Sequence, residues 1–301
     1  MANLKYQFLQ ATNCFFKEGY DKYSMKKYDG HEAKIYSYAA RDTIIDISCQ
    51  IAKFMKEHYP NIKYIRDIEA SHLNEFLKTK VNICTDTTIK QYKARLTKLE
   101  HICNKKYNLQ LDWSKNIKIE KSNKGKSIRD VAFSKEQVEK IKSVLESKRD
   151  SASKDALKVF LPYALRTSEY TNIRVKDIDL NKMKLHIHKS KGGRNRDIDI
   201  RPESVESIKK LIEGKQPYDK LFNIKSKSLS TYLSRICKEL GFKEITSSKT
   251  SIHALRKYAA REYYKEQLKN HSKKESLGNC MSFLGHGRNR KDLIKTYLGE
   301  I

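Results

Sequence analysis

Ala164-Leu-Arg-Thr-Ser-Glu-Tyr-Thr-Asn-Ile-Arg-Val-Lys-Asp-Ile-Asp179 is the stretch on which the fold turns. It continues an apolar run, Ala156, Leu157, Phe160, Tyr163 and Ala164, whose spacing predicts a helix that ends just before Arg166. A guanidinium at such a point suits an oxyanion, because its planar fork can give two parallel hydrogen bonds. Glu169, three residues on, falls on the same helical face and reads as a support for Arg166.

Downstream, Met183-Lys-Leu-His-Ile-His188 alternates apolar and polar residues, Lys191-Gly192-Gly193 has the composition of a turn, and Asp197-Ile-Asp-Ile200 alternates again. This predicts a β-hairpin inside a helical domain. Three further words follow: His253-Ala-Leu-Arg256, Leu284-Gly-His286, and Tyr297 eleven residues later. Taken singly each is weak, since the chain has 63 Lys and Arg, 9 His and 18 Tyr. Together they supply the parts that phosphoryl transfer needs: cations for the non-bridging oxygens, a nucleophile, and groups that move protons.

In their order and local wording these stretches resemble the tyrosine recombinase (phage integrase) family, its Xer-like members in particular. Residues 164–179 look like the family's first box, 191–200 like its β-hairpin, His253 to Arg256 like its His-x-x-Arg box, and Leu284 to His286 with Tyr297 like its last box and nucleophile. The resemblance covers residues 131–301 and, more loosely, a helical region at 34–113. It implies that Tyr297 attacks the scissile phosphorus to give a 3′-phosphotyrosyl link, and that Arg166 and Arg256 clamp the non-bridging oxygens. It also implies that Lys191 protonates the 5′ leaving oxygen, His253 assists proton transfer and His286 braces the phosphate. No metal or other cofactor is implied. Lys189 competes with Lys191, which aligns better because Arg196 and Ile198 then fall on the family's following positions. Tyr258, Tyr263 and Tyr264 compete with Tyr297 but precede His286. One departure is Tyr163-Ala164 where the family commonly has Thr-Gly, so a differently made turn into Arg166 is expected. Another is the end of the chain at Ile301, four residues past Tyr297, so exchange of a C-terminal helix between protomers is not expected.

Toward the N-terminus, Ile44, Ile47, Ile51, Phe54 and Met55 predict one helix, and Ile89, Tyr92, Leu96, Leu99 and Cys103 another. Ile65, Ile68, Leu73, Phe76 and Leu77 predict a shorter one between them, while the first thirty residues show little period. The polar, basic stretch 114–130 reads as a linker. Beyond it, Ser134-Lys-Glu-Gln137 has the form of a capping box ahead of Val138, Ile141 and Leu145. The expected fold is therefore mainly α with a small β-hairpin or sheet. A helical core-binding domain spans 1–113, a basic linker 114–130, and a mixed α/β catalytic domain 131–301.

Composition fits this frame. The chain has 301 residues and a formal net charge of +27, of which residues 1–115 carry +7, 116–130 carry +3 and the remainder +17. Such a surplus points to a polyanion, nucleic acid first, although richness in Lys, Asn and Ile can also reflect an AT-rich gene. No secretory signal or membrane-length apolar run is apparent, so a cytoplasmic location is expected. The six cysteines form no CxxC pair, so reduced thiols are expected, not a zinc site or disulfide framework. The expected partners are a double-stranded DNA recombination site and, for strand exchange, a homo-tetramer on two such sites. A resolvase- or topoisomerase-like relative with the same chemistry, or a silent DNA-binding protein on this fold, would share most of these features.

Overall fold

The computed structural model describes residues 3–20, 25, 27–28, 31–124, 131–188, 195–247, 251–287, 290 and 293–299. The chain divides into two compact units, Met1–Ile128 and Arg129–Ile301.

The first unit is helical. Its helices are α1 (Leu4–Cys14), α2 (Tyr38–His58), α3 (Ala70–Val81), α4 (Asp86–Tyr107) and the single turn α5 (Trp113–Asn116). Ile44, Ile47, Ile51, Phe54 and Met55 of α2 are buried, as are Ile89, Leu96, Leu99 and Cys103 of α4. α3 begins only at Ala70; Ile65 lies in a short 3-10 turn, because Glu69 and His72 form a reciprocal cap that starts the helix there. α1 falls in the stretch without clear period. It buries Leu4, Phe8, Ala11 and Thr12, a helical stripe half made of small side chains with little hydropathic contrast.

Residues 114–124, expected as linker, lie along the first unit. Ile117 is buried, and its carbonyl accepts from Lys93 Nζ at 2.8 Å. Asn74 Oδ1 accepts from the Lys118 N–H at 2.9 Å, and Asp86 Oδ1 from the Ser122 N–H at 2.7 Å. A polar segment can be tied down through its backbone, which composition alone does not reveal.

The second unit is mixed. α6 (Lys135–Ser147), α7 (Ala152–Phe160) and α8 (Thr167–Tyr170) precede β1 (Ile178–Asp179), β2 (Lys184–Ile187) and β3 (Arg196–Asp199). Then come α9 (Val205–Ile212), α10 (Ser226–Glu239), α11 (Lys243–Ser247), α12 (Ser251–Gln267), α13 (Lys273–Phe283) and α14 (Ile294–Leu298). Ser134 and Gln137 make the expected reciprocal cap on α6, at 3.2 and 3.0 Å. The sheet is antiparallel in the order β1-β2-β3, with Leu185 opposite Ile198 and His186 opposite Asp197. Leu185, Ile187 and Ile198 face the core, while Asp197 and Asp199 face out. Lys189 and Lys191, at the expected hairpin tip, lie outside the described residues.

Cys103, Cys237 and Cys280 are buried, and burial pushes the Cys237 and Cys280 thiols up to about 12. Cys14 is exposed. Among the described residues no helix is long and apolar enough to cross a membrane, and no group of three His, Cys, Asp or Glu is placed to hold a metal ion.

Candidate active site

Two helix ends aim residues at one place. α7 runs into a 3-10 turn, Leu161–Tyr163, which is closed by Ala164 in the left-handed conformation at φ 49° and ψ 35°. Leu165 is then buried and Arg166 becomes the N-cap of α8. Left-handed backbone is the work glycine does at a helix end, at a cost of about 1–2 kcal/mol for a residue with a Cβ. The turn into Arg166 is thus made by Ala164 itself, under strain, where the family commonly has Thr-Gly.

The second end closes α13. The His286 N–H donates to Met281 O at 2.8 Å and the Gly285 N–H to Ser282 O at 2.8 Å, with Gly285 at φ 68°. This is the paired-bond helix terminus that calls for a left-handed residue at its C′ position. Gly285 is needed for space as well. A Cβ there would lie 2.7 Å from Arg196 Nη1 and 3.2 Å from Arg166 Nη1. The Leu-Gly-His word is therefore a helix stop that turns His286 into the cluster.

α12 supplies His253 and Arg256, three residues apart on one face. Arg256 is 3% exposed. Its Nη1 donates to the Ala164 carbonyl and its Nη2 to the Leu284 carbonyl, so one guanidinium fastens both helix ends. A cation on otherwise orphaned terminal carbonyls is favoured by hydrogen bonding and by the helix dipole. Burial, and then the Arg166 charge, push the Arg256 guanidinium down to about 10; Tyr297 and Glu169 pull the other way. It stays cationic at neutral pH.

Glu169 sits at the centre of these cations. Its side chain is 3% exposed. The Arg166 N–H donates to Oε2 at 2.7 Å and Arg166 Nη1 to Oε1 at 2.8 Å. Arg196, from β3, binds it bidentately, Nη1 to Oε1 at 2.7 Å and Nη2 to Oε2 at 2.8 Å. Arg256 Nη1 lies 3.9 Å from Oε2. Glu169 meets Arg166 as the third residue of a helix cap, since α8 is only one turn long and has no extended face. Tyr170 beside it is fully buried and donates to Phe160 O at 3.0 Å.

Tyr297, on α14, closes the cluster. It is buried, and its hydroxyl lies 3.3 Å from His286 Nε2. The His253 ring meets the Tyr297 ring edge-on at 5.5 Å, and Arg256 Cζ stands 5.6 Å from the ring centroid. Of the six expected site residues, Arg166, His253, Arg256, His286 and Tyr297 are thus brought together, and Lys191 lies outside the described residues. Tyr258, Tyr263 and Tyr264 stand elsewhere on α12; Tyr263 stacks on Phe283 at 4.1 Å. Arg196, Gly285 and Ala164 entered the sequence reading only as alignment or turn positions, not as parts of the site. Arg196 was the most accessible of them. It shares a strand face with Ile198, and an arginine at an inward strand position needs a buried partner.

An arrangement of three arginines on one carboxylate, with a histidine on a tyrosine hydroxyl, is equipped to bind a phosphate and to present an oxygen nucleophile to it. Residues 131–278 match the family described as Phage integrase family, and this region of the chain belongs to the tyrosine recombinase (phage integrase) family. A curated relative is tyrosine recombinase XerA of Saccharolobus solfataricus, 32% identical over 101 residues. That stretch is 34% of this chain and spans 35% of the relative's length. Among solved structures, the Tn1549 transposon integrase in complex with transposon right end DNA aligns with a TM-score of 0.62 at 14% identity, over 98% of this chain and 95% of that one. A lambda integrase dimer bound to a COC′ core site gives 0.61 at 14%, over 92% of both chains. The XerH recombinase bound to palindromic difH substrate gives 0.59 at 17%, over 98% and 95%. At these identities the likeness is one of fold.

Proposed function

We propose that the chain is a site-specific DNA recombinase or integrase that breaks and rejoins duplex DNA through a 3′-phosphotyrosyl bond. The observation that carries this is the convergence on Tyr297: its hydroxyl is 3.3 Å from His286 Nε2, beside a guanidinium shared between two helix ends. The Tyr297 oxygen attacks the scissile phosphorus, a P–O bond to tyrosine forms, and the bond to the 5′ oxygen breaks. The phenolic proton passes to His286, whose Nε2 lies 3.3 Å from the hydroxyl, a step beyond the phosphate-bracing role that the resemblance implies for it. His253 packs edge-on against the same ring and assists proton transfer, as the resemblance implies. Lys191 protonates the departing 5′ oxygen, a role that comes from the resemblance.

Charge arithmetic supports the same reading. A phosphodiester carries one negative charge, and attack by a phenolate adds a second as the pentacovalent state forms. Arg166, Arg196 and Arg256 around Glu169 leave a formal surplus of two positive charges. In a buried, water-poor site such fixed charge acts at full strength on the transition state. The phosphotyrosine remains a diester, so rejoining needs no external energy source. Two duplexes present four strands and each protomer one tyrosine, so complete strand exchange takes four protomers. The solved relatives are bound to recombination-site and transposon-end DNA, which favours the same substrate class here.

The test is covalent trapping. Nicked suicide duplexes tiled from the DNA flanking the coding gene are incubated with wild type and with Tyr297→Phe. Wild type should form an adduct that maps to Tyr297, and Tyr297→Phe should bind the same duplex and form none. An adduct mapped to another residue refutes the assignment.

A further inference from the structure

We infer that Arg196 is a positioning residue that sets the geometry of the phosphate clamp by occupying Glu169. This rests on the reading of the site given above. Glu169 receives four hydrogen bonds from Arg166 and Arg196, and a carboxylate has about four lone-pair positions. Arg196 takes one position on each oxygen through a bidentate fork. Arg166 is left one side-chain bond and one backbone bond to the same carboxylate. Only one of the Arg166 guanidinium nitrogens is thereby drawn onto Glu169, and the rest of its fork is not claimed by that carboxylate.

Remove the Arg196 fork and the balance changes. Glu169 keeps its charge and its burial but has two lone-pair positions to refill. Among the described residues, the other guanidinium donors beside Glu169 are Arg166, already in contact, and Arg256 at 3.9 Å. Both would be drawn inward, away from an incoming phosphate. Arg196 is poorly suited to touch the substrate itself. Its side chain is 7% exposed, both its Nη atoms are spent on Glu169, and the open backbone of Gly285 packs over Nη1. Its effect on a phosphate is transmitted through Glu169 and Arg166. Lysine keeps the charge and lacks the fork, so Arg196→Lys isolates geometry from electrostatics.

The experiment compares wild type, Arg196→Lys and Arg166→Ala on matched nicked duplexes, with either an ordinary phosphodiester or a neutral methylphosphonate at the scissile position. Arg196→Lys should melt within a few degrees of wild type and bind the duplex within about twofold, yet form adduct about 10- to 100-fold more slowly on the phosphodiester, the scale of a misplaced catalytic group. On the methylphosphonate, which has less charge to clamp, that deficit should shrink to about threefold or less, in parallel with Arg166→Ala. An equal deficit on both linkages, or none on either, overturns the inference. Should wild type form no adduct at all, the proposed function fails, and the inference is decided by inorganic phosphate in a thermal-shift titration at constant ionic strength. Wild type should then be stabilised by phosphate and Arg196→Lys much less. An undiminished response in Arg196→Lys overturns it.

Discussion

The two halves of the site are built on different principles. The clamp half is held by charge. Arg166, Arg196 and Arg256 converge on Glu169, all four side chains are 16% exposed or less, and Arg256 also fastens the ends of the two helical segments that deliver Arg166 and His286. The Tyr297 half sits on a five-residue helix and is held mainly by packing: Tyr297 and Leu298 are buried, the His253 ring meets the tyrosine edge-on, and the hydrogen bonds among the described residues are long, 3.3 Å from the hydroxyl to His286 Nε2 and 3.3 Å from Arg261 Nε to the Tyr297 carbonyl. A clamp must be in place before charge develops, since reorganising it during reaction would cost free energy. Under the proposed function Tyr297 must cross the distance to phosphorus and return, and long, weak hydrogen bonds suit that. Under the proposed function, charge-held stability and the attacking oxygen thus fall in opposite halves.

Substitutions can break that contrast. The largest expected effect on stability is Glu169→Ala. It leaves three buried guanidinium groups without their shared counter-charge, and breaking a buried ion pair on one side costs about 3–5 kcal/mol. Denaturant unfolding of the isolated protein measures this; a loss below about 1 kcal/mol would show that the arginines are not held by charge. Gly285→Ala comes next. The left-handed backbone costs about 1–2 kcal/mol, and the new Cβ pushes on Arg196 and Arg166. Ala164→Gly is smaller and opposite in origin. Relief of left-handed strain and loss of a buried methyl nearly cancel, and the midpoint should move by less than about 1 kcal/mol.

The contrast also separates what sequence discloses from what it hides. The helices of the first unit and the hairpin strands are legible because burial imposes a period of 3.6 or 2 on the side chains. Arg166, His253, Arg256, His286 and Tyr297 are legible as words with an order. The clamp's wiring is not. Glu169 was readable as a partner of Arg166, but its capture of Arg196 is a contact across 27 residues, set by the register that places Arg196 opposite Ile187. Gly285 reads as punctuation until the two guanidinium groups packed over it are seen. At Ala164 the sequence shows that the usual glycine is missing but not how the turn is then made: alanine takes the left-handed backbone itself, and surrounding contacts compensate for the strain. Arg256 on the Ala164 carbonyl is one such contact.

The smallest expected effect on stability is the one that divides the halves most sharply. Tyr297→Phe removes a single hydroxyl. The ring keeps its packing against His253 and His286 and its place near Arg256. A neutral hydrogen bond contributes about 1 kcal/mol net, and at 3.3 Å this one falls toward the low end. Unfolding free energy should therefore change by less than about 1 kcal/mol, while the adduct formation expected under the proposed function should be lost. Inorganic phosphate completes the comparison, titrated against chloride at matched ionic strength so that general screening of a +27 protein cancels. An anion that binds the folded clamp at ten times its Kd stabilises by about 1.4 kcal/mol. Tyr297→Phe should keep that response, because the cations and their carboxylate are untouched, and Arg166→Ala should lose most of it. If Tyr297→Phe also loses it, the tyrosine is part of the anion site, and clamp and nucleophile are one cooperative unit.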